Sequence, residues 1–408
     1  MKKLLKLFIL FMLIFFPFQI SLVKSFQLPF IFRWIDEIFF LICLFFMAIM
    51  ATYTGRIKNE IFILSLMFSL FVIYGMFSGI YNGNNFLITV AGIFDYLKYF
   101  IFIPAIGFFS FTENELKNFY RISIGLVIFT CLTSIIIIMC SWLGIAWPKF
   151  LGQIIAHRFG LPRPAPFYIH PNTLGLYSVI FFIIDFSLNP RLDSKKSLLL
   201  FGIFFSVSRM VYLSFIIGIY LLLVKSEIRN KAYYLMFMSF LGLAILMPVI
   251  IKMSWAEIVA ERFYRGYVIK KSWEIWSDNP FPGVGPGMYG GVVSVEFKSP
   301  IYDKYHFSEY WYNFGLKTFH SLDQFWPQIM VELSLPGLAM FLMILFLLSG
   351  IAMKKYKLVQ SDYAKKFSLG LMIIPIIIFF YLFGSGLNLS CLGTYAILYG
   401  VLLGAKKE

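Results

Sequence analysis

Apolar runs of about 20 residues recur along the whole chain and constrain its fold more than any other feature. A helix needs about 20 apolar residues to cross a membrane. Lipid cannot satisfy free backbone groups, so each run is predicted to be helical. The predicted fold is all-α, a polytopic transmembrane bundle of about 12 helices forming a single integral membrane domain over residues 1–408. The runs lie roughly at 4–23, 35–54, 60–80, 88–110, 119–143, 170–188, 196–207, 209–224, 232–251, 324–350, 366–384 and 387–404.

The composition agrees with a membrane protein and argues against a nucleic-acid partner. Only 13% of the residues are charged and 60% are hydrophobic, whereas soluble proteins carry about 25% charged residues. The net charge of +15 comes from Lys and Arg that lie mostly in short segments between apolar runs. There they set the orientation of the helices. We therefore expect the lipid bilayer, and no nucleic acid, as the surroundings.

Lys and Arg are distributed asymmetrically, which predicts that both termini are cytoplasmic. Two longer segments then lie on the outer side, a first outer loop at 144–169 and a large loop at 252–323. Residues 1–25 could be a cleaved signal peptide, but no A-x-A-like site follows, which favours an uncleaved first helix. The inner segments hold basic residues such as Lys2, Lys3, Lys6, Arg56, Lys58, Lys195, Lys196, Lys354, Lys355, Lys406 and Lys407, whereas the short outer turns hold Lys24, Arg33 and Arg209.

Three arginines are candidates for binding an anion near the outer face. Arg209 separates two short apolar runs that predict a helix hairpin or a broken span. An arginine at membrane depth costs at least about 2.5–3.5 kcal/mol, so it usually faces a polar cavity or a partner. Arg163 precedes the sixth run and Arg265 lies early in the large loop. One guanidinium group can donate two parallel hydrogen bonds to the oxygens of a phosphate. The alternative for each is that it extends to the lipid headgroups.

The large loop is rich in aromatic residues. Flat rings beside hydrogen-bond donors suit sugars, while the alternative is an aromatic belt at the membrane surface. The loop's Trp and Tyr residues are Trp255, Tyr264, Tyr267, Trp273, Trp276, Tyr289, Tyr302, Tyr305, Tyr310, Trp311 and Tyr312.

The remaining polar residues suggest proton transfer and structural pairing. His320 and Asp323 end the large loop, where a group that transfers protons could act. His170 opens His-Pro-Asn, in which Pro171 suits a first helical turn and Asn172 could cap free amides. Asp95 and Lys98 are three residues apart and can pair on one helix face.

Two further features have structural interpretations. Residues 280–287, Pro-Phe-Pro-Gly-Val-Gly-Pro-Gly, predict a tight reversal of the chain on the outer face. The four cysteines, all inside apolar runs, predict small buried side chains. No disulfide framework is expected, and no metal site, because the four His are scattered and no Cys pair occurs. The cysteines are Cys43, Cys131, Cys140 and Cys391.

Four stretches, taken in order, resemble the O-antigen polymerase and ligase superfamily, of Wzy and WaaL type. Arg163 followed by Pro171-Asn172 resembles its Arg and Pro-Asn stretch, and Ser208-Arg209 resembles its Ser-Arg motif. Arg265 with the 280–287 stretch is similar to its Arg and Pro-x-x-Gly-Val-Gly-x-Gly stretch. His320-Ser321 through Glu332, Leu335, Pro336 and Gly337 resembles the family's closing His and the helix after it.

The chain departs from the pattern at three places. Ser334 stands where a glycine is usual, and Pro166 replaces a glycine after Arg163. His320 lies about three residues too far from Glu332, so that Asp323 nearly takes its position.

The resemblance implies a glycosyltransferase of the bacterial cytoplasmic (inner) membrane, with its active face in the periplasm and no metal or cofactor. It implies an undecaprenyl-pyrophosphate-linked oligosaccharide as donor, and a chain-length regulator as a further partner. A polymerase would join repeat units into O-antigen or capsular polysaccharide, a ligase would transfer the glycan to lipid A-core, and the helix count also fits a transporter or flippase. The implied catalytic residues are His320, Arg209, Arg265 and Asp323, and the implied substrate-binding residues are Arg163, Arg158, His170, Asn172, Arg262, Tyr264 and Trp273.

Overall fold

A computed structural model of the protein describes most of the chain as helix. The described residues are 2–25, 38, 41, 42, 45, 58–146, 148, 152–158, 161–167, 169–225, 264–307, 324–384, 386 and 390–405. Two predicted runs, 232–251 and nearly all of 35–54, together with Cys43, lie outside these residues.

The described residues form fourteen helices and two strands. In the first half of the chain these are α1 Lys2–Ser25, α2 Asn59–Tyr81, α3 Phe86–Leu97, α4 Phe102–Gly107, α5 Glu113–Trp142, β1 Gly152–Arg158, β2 Leu161–Pro166, α6 Pro171–Leu188, α7 Ser194–Phe205 and α8 Arg209–Lys225. In the second half they are α9 Tyr264–Asp278, α10 Val292–Glu296, α11 Pro300–Lys304, α12 Phe325–Leu358, α13 Asp362–Tyr381 and α14 Ser390–Gly404.

Five of the described helices, α2, α5, α6, α12 and α13, are long and apolar enough to cross a membrane. In α6, 89% of the apolar window is buried, against 39% in α2 and α12. A helix that is apolar all round and buried belongs at the centre of a bundle. The core therefore lies around α6 and α13, which pack together, while α2 and α12 each keep one face for lipid.

The prediction of one helix over 88–110 was wrong, because two helices, α3 and α4, share this run. Pro104 lacks an amide hydrogen and cannot bond the carbonyl of Phe100, four residues earlier. The amide of Ile103 bonds that carbonyl instead, at 3.1 Å. The chain between the helices therefore follows tighter turns, with Lys98 buried at the start of the break.

The all-α prediction was also wrong at the first outer loop, where β1 and β2 form an antiparallel hairpin. Gly152 pairs with Pro166 and Arg158 with Leu161, with an irregularity between Ile154 and Ala156. Proline is tolerated in edge strands. Pro occupies every second position of β2. The remaining residues therefore direct their amides to the same side of the strand, which is the arrangement needed to pair with a single neighbouring strand. The hairpin packs against α5 and carries Arg163 toward α6 and α7.

Candidate functional site

Arg163 connects the start of α6 to the break between α7 and α8. Its Nε donates to the carbonyl of Ser206 at 3.0 Å, and its NH2 group donates to Oδ1 of Asn172 at 2.6 Å. Both acceptors are neutral, so these bonds orient the guanidinium without cancelling its charge. Two predicted site residues, Arg163 and Asn172, are thus in direct contact, and Arg163 also binds Ser206, three residues before a third, Arg209.

The start of α6 differs from the prediction in its capping residue. Pro171 occupies the first turn as expected, but the cap is His170, whose Nδ1 accepts from the amide of Asn172 at 3.3 Å. Asn172 does not cap the helix, because its side-chain oxygen binds Arg163. His170 is exposed to solvent. His170 therefore caps α6 in place of Asn172, and the side-chain amide of Asn172 lies beside Arg163.

The break between α7 and α8 confirms the predicted interruption before Arg209. Val207 has a φ of +44° in this break, and Ser206, Val207 and Ser208 are all buried. A Cβ on Gly175 of α6 would lie 2.6 Å from Cβ of Ser206 and 2.8 Å from Val211. Glycine at 175 is therefore needed for α6 to approach the break so closely.

Arg209 is the first residue of α8 and is partly buried. A helix N-terminus carries a partial positive charge, so a cation there is electrostatically unfavourable. The N-terminus of α6 lies on the other side of Arg163. The start of α6 and the connection that leads into α8 therefore both contact Arg163, and helix N-termini attract anions.

The other predicted site residues are placed less completely. Arg158 ends β1, and Tyr264 and Arg265 form the first turn of α9, where the structure describes only their backbone. Arg262, His320 and Asp323 lie outside the described residues. Trp273 is 59% exposed on α9, with its ring centroid 5.0 Å from that of Trp276.

The glycine-rich segment, defined here as residues 280–291, does not lie on the surface as a simple reversal. Pro282 through Gly290 are all buried, although the side chain of Phe281 is exposed. The segment fills a space between α2, α3 and α12. Ser78 Oγ donates to the carbonyl of Pro282 at 2.9 Å, and Asn82 Nδ2 to that of Gly283 at 2.7 Å. Its glycines allow the backbone to contact the helices directly.

Glu332 of α12 fixes this segment from the other side. The carboxylate accepts from the Tyr96 hydroxyl at 2.6 Å and from the amide of Tyr289 at 2.7 Å. The side chain is fully buried. Sequence reasoning used Glu332 as a motif residue but did not predict it as a site residue. An acid inside an apolar run is a functional candidate by itself, so the signal was present.

Ser334 explains one departure from the family pattern. Its φ of +55° and ψ of −166° interrupt α12, a conformation in which glycine is normally required. The Ser334 hydroxyl donates to the carbonyl of Pro280 and accepts from Trp276 Nε1 at 3.1 Å. These two bonds attach α9 and the glycine-rich segment to α12 and help to hold the strained backbone.

Most aromatic residues of the described part of the large loop form a small core of their own. Tyr289, Tyr302, Tyr305 and Phe307 are buried and pack with Val268 and Ile275, so the three tyrosines are structural and do not present rings to a sugar. Burial raises the pKa of Tyr305 to about 12, and its hydrogen bond to Asp278 acts in the same direction. Trp273, Phe281 and Phe297 are exposed instead.

Other structural predictions can be compared directly. Asp95 and Lys98 pair as expected, with 3.7 Å between Nζ and Oδ1. Cys131 and Cys391 are buried, and Cys140 is partly buried. Among the described residues, His, Cys, Asp and Glu form no group that could hold a metal ion.

The fold and this geometry define a class, a helical membrane protein in which an arginine links the start of one helix to the connection before another. Residues 197–342 match the family model described as Wzy_C, O-antigen ligase. The match confirms the resemblance to the O-antigen polymerase and ligase superfamily and supports a role in O-antigen or lipopolysaccharide assembly. With the membrane-spanning helices it suggests a glycosyltransferase-like enzyme of the inner membrane that uses a lipid-linked glycan. No curated protein sequence matches the chain.

Proposed function

We propose that the protein polymerises undecaprenyl-pyrophosphate-linked repeat units into O-antigen or capsular polysaccharide at the periplasmic face of the inner membrane. The observation that carries the proposal is the bridge from Arg163 to Asn172 and Ser206. The bridge holds Arg163 between the start of α6 and the connection that precedes Arg209, and a lipid-linked pyrophosphate is an anion that arginines and helix N-termini would bind.

In the proposed reaction, the hydroxyl of an acceptor sugar attacks the anomeric carbon of the donor. The bond from that carbon to the pyrophosphate oxygen breaks, and the pyrophosphate leaves on its lipid. Arg163, Arg209 and Arg265 stabilise the negative charge that grows on the leaving group. His320 or Asp323 accepts the proton of the hydroxyl. Arginines thus supply the positive charge, and the proposal includes no metal.

Binding of the sugars falls to the outer loops. Exposed Trp273 offers an apolar face to a sugar ring, and the proposal assigns Arg158, Arg262 and Tyr264 to the same task. Holding both reactants in line converts an encounter into an oriented reaction, which contributes a large part of the rate in such transfers.

The ligase is the second candidate, because the matching family is described as O-antigen ligase. A ligase would use the same donor and the same arginines, with lipid A-core as acceptor. Deletion of the gene followed by gel analysis of surface and lipid-linked glycan separates the two. A polymerase deletion leaves single repeat units on the anchor, whereas a ligase deletion leaves long chains on undecaprenyl pyrophosphate. Unchanged glycan of both kinds would contradict both functions.

A further inference from the structure

A second cationic site lies at the opposite end of the bundle from the predicted outer loops. The first turn of α2, the last turns of α12 and the end of α14 enclose a cleft of about 500 Å³. Its polar lining includes Lys58, Asn59, Glu60, Ser110, Lys354 and Lys355. These residues belong to segments that the distribution of Lys and Arg places on the cytoplasmic side.

Two of the lysines are held close together. Lys58 Nζ donates to the carbonyl of Leu403 at 3.0 Å, and Lys355 Nζ donates to the same carbonyl at 3.4 Å. Two ammonium groups on one oxygen repel each other. Burial also lowers the pKa of Lys58, and the neighbouring Glu60 carboxylate acts in the opposite direction.

The carboxylate in the cleft is shared by three lysines. Glu60 lies 2.7 Å from Lys354 Nζ and also attracts Lys58 and Lys355. Among the described lining residues, three lysines therefore accompany one carboxylate, and the lining is positive. The Leu403 carbonyl at the end of α14 attracts the ammonium groups of Lys58 and Lys355 as a dipole.

We propose that this cleft binds a phosphate group, carried by an anionic phospholipid of the cytoplasmic leaflet or present as a free phosphate. A phosphate oxygen would accept from Lys58 and Lys355 at once, and the Ser110 hydroxyl lines the same space. Basic pockets at the cytoplasmic ends of membrane helices suit such headgroups. The site is separate from the arginines of the proposed reaction.

The binding test uses the whole protein purified in mild detergent. Native mass spectrometry counts bound dioleoylphosphatidylglycerol, with dioleoylphosphatidylcholine as the zwitterionic comparison. The variants are Lys58→Gln with Lys355→Gln, and the control is Lys366→Gln, a partly exposed lysine of α13 paired with Asp362 at 2.7 Å. We expect about tenfold weaker retention of phosphatidylglycerol in the double variant, the factor that one charge-assisted hydrogen bond contributes. The control should match the wild type.

A variant that strengthens binding guards against loss of folding. Glu60→Gln removes the carboxylate from the cleft and releases Lys354, so it should increase retention several-fold. Inorganic phosphate in a parallel thermal-unfolding series separates the sources. A rise in Tm that the double variant lacks indicates a site for free phosphate, and an effect of the phospholipid alone indicates a headgroup site. Equal retention of both lipids, or no response of any cleft variant to lipid and phosphate, would overturn the proposal.

Discussion

The carbonyl oxygen of Glu332 accepts a 2.9 Å hydrogen bond from the amide of Gly285, a residue outside its own helix. Pro336 lies four residues further along α12 and has no amide hydrogen to give. Because α12 is also interrupted at Ser334, the carbonyl of Val331 accepts a hydrogen bond from the amide of Val284, at 3.0 Å. The glycine-rich segment therefore completes the hydrogen bonding of a membrane helix, and the interruption in α12 is what makes room for it.

At position 334 the glycine variant should be more stable than the alanine variant, whereas at an ordinary helical position alanine is the more stable. Both Ser334→Ala and Ser334→Gly lose the bonds to Pro280 and Trp276. Alanine also keeps the steric cost of the positive φ, so the glycine variant should be more stable by about 1–2 kcal/mol. Thermal unfolding in detergent measures the difference.

Ser349, in a regular part of α12, provides the matched control for this comparison. At that position alanine should be more stable than glycine by about 1 kcal/mol. The same order at both positions would refute the role assigned to the backbone of Ser334.

Glu332→Gln should loosen the glycine-rich segment. Glutamine presents one oxygen and one amide group where the carboxylate accepts from both Tyr96 and Tyr289. One buried donor then lacks an acceptor, which costs about 1–3 kcal/mol. We expect faster hydrogen exchange at the amides of Val284 and Gly285. Tyr96→Phe should have a smaller effect in the same direction, and Tyr220→Phe, at an exposed position, none. Unchanged exchange in Glu332→Gln would show that the carboxylate does not hold the segment.

Gly175→Ala should displace the connection that precedes Arg209. The new methyl group would overlap Ser206 and Val211, and overpacking of this kind costs about 1–3 kcal/mol. The variant should insert into the membrane yet form shorter or less polysaccharide, judged by gel of surface glycan. Gly125→Ala in α5 is the control, because nothing lies within 4 Å of the added carbon. Normal glycan from Gly175→Ala would mean that the approach of α6 to this connection is not required.

Arg209→Ala should lower turnover on the order of a hundredfold or more, since one stabilising donor contributes about 3–4 kcal/mol. Arg163→Lys keeps the charge but loses the planar guanidinium that donates to Ser206 and Asn172 from two separate nitrogens, so a loss of about tenfold is expected. Arg191→Ala, in the exposed connection between α6 and α7, should leave turnover unchanged. Elongation of a purified lipid-linked oligosaccharide measures all three. Full activity of Arg209→Ala would remove Arg209 from the mechanism.

Several features followed from the sequence because they depend on local or one-dimensional properties. Lipid as the solvent requires long apolar runs, so the membrane helices were visible in the order of residues. The break before Arg209 and the Asp95–Lys98 pair also follow from spacing along the chain. The arginines were identified because a charge beside apolar runs has few structural uses.

Other features required contacts between residues that are distant in the sequence. The burial of the glycine-rich segment depends on Ser78 and Asn82 of α2 and Glu332 of α12, some 40 to 200 positions away. Likewise, Asn172 would cap a helix in isolation, but in the folded protein Arg163 takes its oxygen. The sequence by itself determined the solvent and the helical periodicity. Only the tertiary structure decided which buried polar groups satisfy one another, because each donor bonds to whichever acceptor the packing brings within reach.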